Sequence, residues 1–276
     1  MWEKRYAFPN PARDSNGERV YSPDQVEKLR LIKRLMERGH RPGKIIGQSM
    51  EHLRALGSDA GKGSPDAEGL EVFLKLIRSH QPQELRARLS QDMARRGLQN
   101  FVLETVAPLT TAVGNAWMGG QIAVFEEHLY SELIQNILRN AIASIQPQAR
   151  APRVLLTSLP QEQHSIGLLM AEAMLAVEGA FCIPLGTQTP LADIVTASWV
   201  HQADVVALSF SSSYSEIRAA EGLKQLRVAL PPATRLWAGG AGALRLHKPI
   251  PGVEPIESFE KMVELVKPWR VPGFAQ

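Results

Sequence analysis

Cysteine is almost missing from this chain: Cys182 is the single one among 276 residues. An intrachain disulfide is thereby excluded, and so is a zinc site built on several cysteines. Also missing is any run near the eighteen or so uncharged apolar residues of a membrane span, and Met1-Trp2-Glu3-Lys4-Arg5 leads into no signal-peptide core. A large excess of either sign of charge is missing too: 31 Lys/Arg stand against 28 Asp/Glu, a net of only +3. What is present is ordinary: 44% hydrophobic and 21% charged residues suit a globular chain and neither a disordered tail nor a membrane protein. A soluble, cytoplasmic protein of two or three domains with no membrane partner is expected.

The small net charge is unevenly spread. Residues 1–56 hold 12 Lys/Arg against 7 Asp/Glu, and the rest holds 19 against 21. Such a basic head suits nucleic-acid binding, because phosphate contacts need clustered Lys and Arg, although a basic helical domain without that partner fits the charge equally well. In the head, Asn16-Gly17 is a tight-turn signal between short extended arms. Ser22-Pro23-Asp24 then reads as a helix start, with Val26, Leu29, Ile32, Leu35 and Met36 at helical spacing and Gly39 as the stop. A second helix is expected over 41–56. Residues 57–66, rich in Gly and Ser, read as a linker.

Residues 67–148 carry four helical apolar stripes, at 70–77, 85–93, 101–117 and 122–145, for which an antiparallel four-helix bundle is the natural solution. From 153 the period changes. Short apolar runs at 154–159, 181–185, 205–210, 236–238 and 253–256 alternate with helical patterns at 165–178, 191–202, 213–229 and 257–267, which implies βαβ crossovers and an open five-stranded parallel sheet. The fold class expected is therefore α plus α/β: a partial winged helix-turn-helix, a four-helix bundle and a Rossmann-like, flavodoxin-like sheet domain over 149–276. Ligands in such sheets bind beyond the carboxyl ends of the strands, so the loops beginning at Ser158, Ser209 and Gly239 are the ones to inspect.

The first of these loops contains Glu162-Gln163-His164-Ser165-Ile166-Gly167. A strand-end histidine with a carboxylate two residues earlier suits a metal ligand whose other ring nitrogen is held in place. Taken singly, a loop histidine is more often solvated surface, and Gly239-Gly240 an ordinary turn. Taken together, Glu-x-His-x-x-Gly, Ser209 about 45 residues on and Gly239-Gly240 about 30 beyond it resemble the cobalamin-binding module of methionine synthase, the methylmalonyl-coenzyme A mutases and the CarH/LitR photoreceptors. The resemblance implies base-off/His-on cobalamin with His164 as lower ligand of cobalt and Glu162 as its partner. It also places Gly167, Ser209, Ser211, Gly239 and Gly240 along the slot for the displaced tail. Glu162 stands where many members have Asp, and Ser211 where Leu is common.

Upstream, Trp117, nine residues, then Glu127-His128 is similar to the signature of cobalamin-sensing regulators whose helical bundle caps the corrin. Singly these would read as a helix-end aromatic and a solvated face. The resemblance implies that Trp117, Met118, Glu127 and His128 line the pocket for the upper ligand, adenosyl or methyl. Met118 stands where the photoreceptors carry a histidine that captures cobalt after photolysis.

Residues 2–6 (Trp-Glu-Lys-Arg-Tyr), Pro11-x-Arg13, Gly17-x-Arg19-x-Tyr21-Ser22 and the following helix resemble the back half of the MerR winged-helix domain. Arg5, Arg13, Arg19 and Tyr21 are the implied DNA contacts, with wing arginines on phosphates. By the same resemblance the first helix and most of the recognition helix would precede Met1, or be altered in this chain. The implied function is a MerR-type regulator without enzymatic turnover. Cobalamin, and light if the cofactor is adenosylcobalamin, would control dimer or tetramer formation and operator binding. A corrinoid carrier in methyl transfer and a cobalamin-binding antirepressor acting through protein partners are the alternatives.

Overall fold

A computed structural model describes residues 2–15, 17–37, 40–58, 67–145, 151–246 and 248–270. The chain divides into two compact units, one of residues 1–85 with 109–129, the other of 86–108 with 130–276. The helical segment after residue 67 is shared between them.

In the first unit, helix α1 (Trp2–Tyr6) precedes a two-stranded antiparallel ribbon of β1 (Ala12–Arg13) and β2 (Arg19–Val20). Gly17 supplies the left-handed turn residue at φ +79 between the arms, and Asn16 lies outside the described residues. Helix α2 (Pro23–Glu37) starts where expected, with the Ser22 hydroxyl accepting from the Gln25 amide at 3.3 Å. Its stop at Gly39 falls outside the described residues.

The helix expected over 41–56 is instead two, α3 (Pro42–Ile45) and α4 (Met50–Ser58). The break has a local cause. Ser49 accepts from the His52 amide through its hydroxyl and from the Leu53 amide through its carbonyl, which is an N-cap placed inside the expected helix. Because α4 runs to Ser58, the expected linker begins inside a helix, and residues 59–66 lie outside the described set. Leu31, Ile32, Leu35, Ile45, Ile46 and Leu53 form the core of this head, flanked by Tyr6 and Phe8.

Next come α5 (Ala67–Arg78), α6 (Pro82–Arg96), the short α7 (Leu98–Asn100), a π-helical stretch over Phe101–Val106, α8 (Ala107–Met118) and α9 (Val124–Ala143). Helices α5, α6 and α9 follow the first, second and fourth apolar stripes, the third spans the π-helical stretch and α8, and α7 falls between stripes. Gly120, at φ +71, ends α8: its amide bonds to the Trp117 carbonyl and the Gln121 amide to that of Ala116, so the two orphan carbonyls are satisfied by a left-handed cap.

The second unit is built on a parallel sheet of β3 (Arg153–Thr157), β4 (Phe181–Gly186), β5 (Val205–Ser209), β6 (Arg235–Gly239) and β7 (Val253–Ile256), in the order β4-β3-β5-β6-β7. The strands lie within a few residues of the apolar runs because central parallel strands are buried on both faces. Val154, Leu155, Val205, Val206 and Trp237 are fully buried. Helices α10 (Ile166–Val177), α11 (Leu191–Val200), α12 (Glu216–Ala229) and α13 (Phe259–Val266) connect and cover the sheet, α10 packing with α13 and α11 with α12. The strand order reverses between β3 and β5. Their carboxyl ends therefore open a crevice at the switch point of a flavodoxin-like sheet. Among the described residues no helix is long and apolar enough to cross a membrane.

Candidate functional site

The loop leaving β3 is held at both ends. Ser158, fully buried, donates through its hydroxyl to the Glu162 carbonyl at 2.8 Å and accepts from the Gln188 amide at 3.0 Å. Tyr214, from the loop after β5, donates to the Pro160 carbonyl at 3.0 Å. This wiring turns the Glu162 side chain inward, to 1% exposure, while His164 two residues later stays 66% exposed at its ring.

Glu162 is the hub. One carboxylate oxygen accepts from His164 Nδ1 at 2.7 Å and from the His164 amide at 3.0 Å. The other accepts from the Ser211 amide at 2.7 Å and the Ser211 hydroxyl at 2.8 Å. Burial alone would push this carboxyl up. The His164 and Ser211 bonds outweigh it and hold the group below the usual carboxylate range. An ionised carboxylate only accepts, so Nδ1 carries the proton, and in the neutral ring Nε2 carries the lone pair. An exposed imidazole with that tautomer, braced by a buried acid, is the donor a metal centre requires.

The structure thus brings together His164, Glu162 and Ser211, from loops on either side of the switch point. It also seats Ser209 against α10: a Cβ at Gly167 would lie 2.9 Å from the Ser209 hydroxyl, so any larger residue there would turn that hydroxyl aside. At the end of β6 the two glycines differ. Gly239 leaves ordinary room beside Ile256, at 3.5 Å, whereas a Cβ on Gly240, at φ +86, would meet the Phe210 carbonyl at 2.5 Å. Gly242 is tighter still, 2.3 Å from the Ser211 carbonyl. Sequence reasoning missed Gly242 and Tyr214, and named Ser158 only as the start of a loop; for Gly242 the one available signal was its place just after a Gly pair.

The remaining predicted residues lie in the first unit. Trp117 and Met118, both half-buried, close α8, and Glu127 and His128 follow one another near the start of α9, with His128 Nε2 3.6 Å from the Glu127 carboxylate. In the head, Arg13 and Arg19 are cross-strand partners, so two like charges face each other across the ribbon, an arrangement that costs stability unless an anion lies near. Arg19 pairs with Glu3 at 3.3 Å and Arg13 donates to the Gly17 carbonyl at 2.5 Å. Together with Pro9 and Asn10 these residues line an open polar groove. Arg5 is exposed with its guanidinium 5.4 Å from the Tyr6 ring, and Tyr21 is half-buried just beyond β2.

The family profile described as MerR HTH family regulatory protein matches residues 1–47. The chain is 31% identical over 258 residues to the HTH-type transcriptional repressor CarH of Myxococcus xanthus, spanning 90% of this chain and 85% of that one. It is 30% identical over 268 residues to the HTH-type transcriptional repressor CarA of the same organism, spanning 96% and 89%. Among solved structures, the monomethylamine corrinoid protein of Methanosarcina barkeri shares the fold, with a TM-score of 0.56, 13% identity, and coverage of 72% of this chain and 97% of that one. With its MerR-type head and a sheet unit of this fold, the chain belongs to the family of HTH-type transcriptional repressors that includes CarH and CarA.

Proposed function

We propose that this chain is a cobalamin-dependent transcriptional repressor, without turnover of its own, acting on DNA in the cytoplasm. The observation that carries the reading is the His164–Glu162–Ser211 chain at the switch point of the sheet. It supports an exposed imidazole whose Nδ1 is held by a buried acid, which suits a ligand on the lower face of cobalt. The cradle of Gly167 and Ser209, with Gly239 and Gly240 beyond, is the slot for the cofactor's tail. When bound, a cobalamin supplies a cobalt centre with an exchangeable upper ligand.

The chain's own residues do the rest. His164 binds the metal; Glu162 keeps the proton on Nδ1 and fixes the ring's direction; Ser211 keeps Glu162 ionised and in place. Trp117, Met118, Glu127 and His128 are the residues for the upper ligand, and Met118 offers a thioether where the photoreceptors have an imidazole. Arg5, Arg13, Arg19 and Tyr21 hold the operator, with the two wing arginines on phosphate. The MerR-type head favours this reading over a corrinoid carrier, which has no use for one.

Ligand control requires that the two upper-ligand states differ in their affinity for alternative arrangements of the protein, and those arrangements must differ in self-association or DNA affinity. The test follows. Purified protein is given adenosylcobalamin in the dark, and the visible spectrum, oligomeric mass and operator affinity are recorded before and after illumination. A His-on spectrum is expected, lost in His164→Ala, with a change of mass and of DNA affinity on illumination. Absence of uptake overturns the cofactor assignment. Uptake without any change in mass or affinity removes the switch.

A further inference from the structure

The Trp117 to His128 region is held by a neighbour that its spacing does not announce. Helix α5 ends in a left-handed cap at His80, φ +54, whose amide bonds to the Ile77 carbonyl while the Gln81 amide bonds to that of Leu76. This is the position where glycine is normally used, since a Cβ is strained there. The imidazole placed at that cost reaches Glu126: Nε2 lies 3.0 Å from the Glu126 carboxylate, and the ring lies 5.5 Å from that of Phe125.

Glu126 is 8% exposed, and its other oxygen accepts from the Ala123 amide at 2.5 Å, closing the start of α9 in the manner of a capping-box acid. Two residues before His80, Arg78 donates to the Gln121 side chain at 3.2 Å and is itself braced by Glu71 at 2.8 Å. The connection from Met118 to Val124 is therefore gripped at Gln121 and again at its exit into α9, both times from the end of α5.

We propose that His80 and Arg78 are positioning residues for the upper-ligand set: by fixing the connection they set where Trp117 stands relative to Glu127 and His128. A strained non-glycine cap that projects a donor onto a buried acid is the mark of a side chain kept for that bond. The ligand side of the inference rests on the cobalamin reading above, whereas the grip itself does not.

The experiment uses the full chain. His80→Gly relieves the backbone strain and removes the donor, so a defect in it does not come from a damaged cap; His80→Gln keeps an N–H donor. In the ligand-free proteins, amides of residues 123–128 are expected to exchange about tenfold faster in H80G and at near wild-type rates in H80Q. In the dark, the preference for adenosylcobalamin over hydroxocobalamin is expected to fall about tenfold in H80G and to return in H80Q, with hydroxocobalamin affinity unchanged, and Arg78→Ala is expected to lower it in the same direction. Wild-type exchange rates in H80G overturn the grip. Faster exchange with an unaltered ligand preference overturns the positioning role. If the wild type takes up no cobalamin, the site reading and the ligand side of this inference fall together, and the exchange rates still decide the grip.

Discussion

At the scale of single residues, Glu162 carries more than its neighbour His164. A carboxylate at 1% exposure with four accepted hydrogen bonds is stable only while ionised, and its depressed pKa makes stability depend on pH with a definite sign. The bonded, ionised group stabilises the fold fully above its ordinary value of 4.5, and that contribution is lost as pH falls through the lower folded value. Acid unfolding of Glu162→Gln should therefore be flatter below about pH 4.5, a region scanned by circular dichroism, with a loss of about 1–3 kcal/mol at neutral pH. On the proposed cofactor reading the same variant should bind cobalamin about 10–100-fold more weakly, because His164 loses its orienting acid. The glycines make a separate residue-scale contrast. Gly240→Ala drives a Cβ onto the Phe210 carbonyl at positive φ and should cost at least about 2 kcal/mol, while Gly239→Ala should cost under about 1 kcal/mol. Equal melting shifts for the two would refute the distinction. Cys182, whose thiol burial and the nearby Glu172 charge push up to about 12, should resist alkylation at pH 8 in the folded protein.

At the scale of elements, what could be read from sequence followed how local the cause was. The five strands were legible because apolar runs such as 154–159 and 205–210 are buried on both faces, whatever lies next to them. Helix α2 was legible from Ser22 and Pro23, although Leu31, outside the expected stripe, joins Ile32 and Leu35 in the core, with Met36 packed against it. The break between α3 and α4 was not, since Ser49 reads equally well as a helix-interior residue until its hydroxyl is seen to cap. Glu162 and His164 could be found as sequence neighbours. The Ser211 bond to Glu162 spans 49 positions, and the His80 bond to Glu126 spans 46, so both wait on topology. The π-helical stretch Phe101–Val106 is a further case. It is tied by Thr105, which donates to Asp92 on α6, an acid 8% exposed that also accepts from Arg96 at 2.9 Å. Asp92→Asn should destabilise by about 1–3 kcal/mol and Thr105→Val by about 1 kcal/mol, measured by denaturant unfolding. If their double variant loses only as much as Asp92→Asn alone, the two act through one bond.

At the scale of the whole molecule, the small net charge of +3 hides an uneven distribution. The head concentrates 12 Lys/Arg against 7 Asp/Glu in 56 residues, and the remainder is slightly acidic. DNA binding by the head must therefore fall steeply with salt, since each neutralised phosphate contributes about 0.9 to the slope of log K against log salt, whereas cobalamin uptake in the proposed manner, through His164 and an uncharged slot, would be nearly indifferent to it. The facing pair Arg13 and Arg19 is the sharpest place to test this. Arg19 is held by Glu3 in an ion pair with both side chains more than a third exposed, worth little in water, so a phosphate can compete for the guanidinium at small cost. Arg13→Ala and Arg19→Ala should each flatten the salt slope of operator binding by about 0.9 and weaken specific and non-specific DNA alike. Relief of like-charge repulsion across the ribbon should leave each variant's thermal stability equal to wild type or slightly higher. Fluorescence anisotropy over a salt series gives the slopes, and the visible spectrum of the same samples gives cofactor uptake. An unchanged slope would remove both arginines from the phosphate contacts, and a loss of cobalamin uptake in either variant would overturn the separation of the two functions.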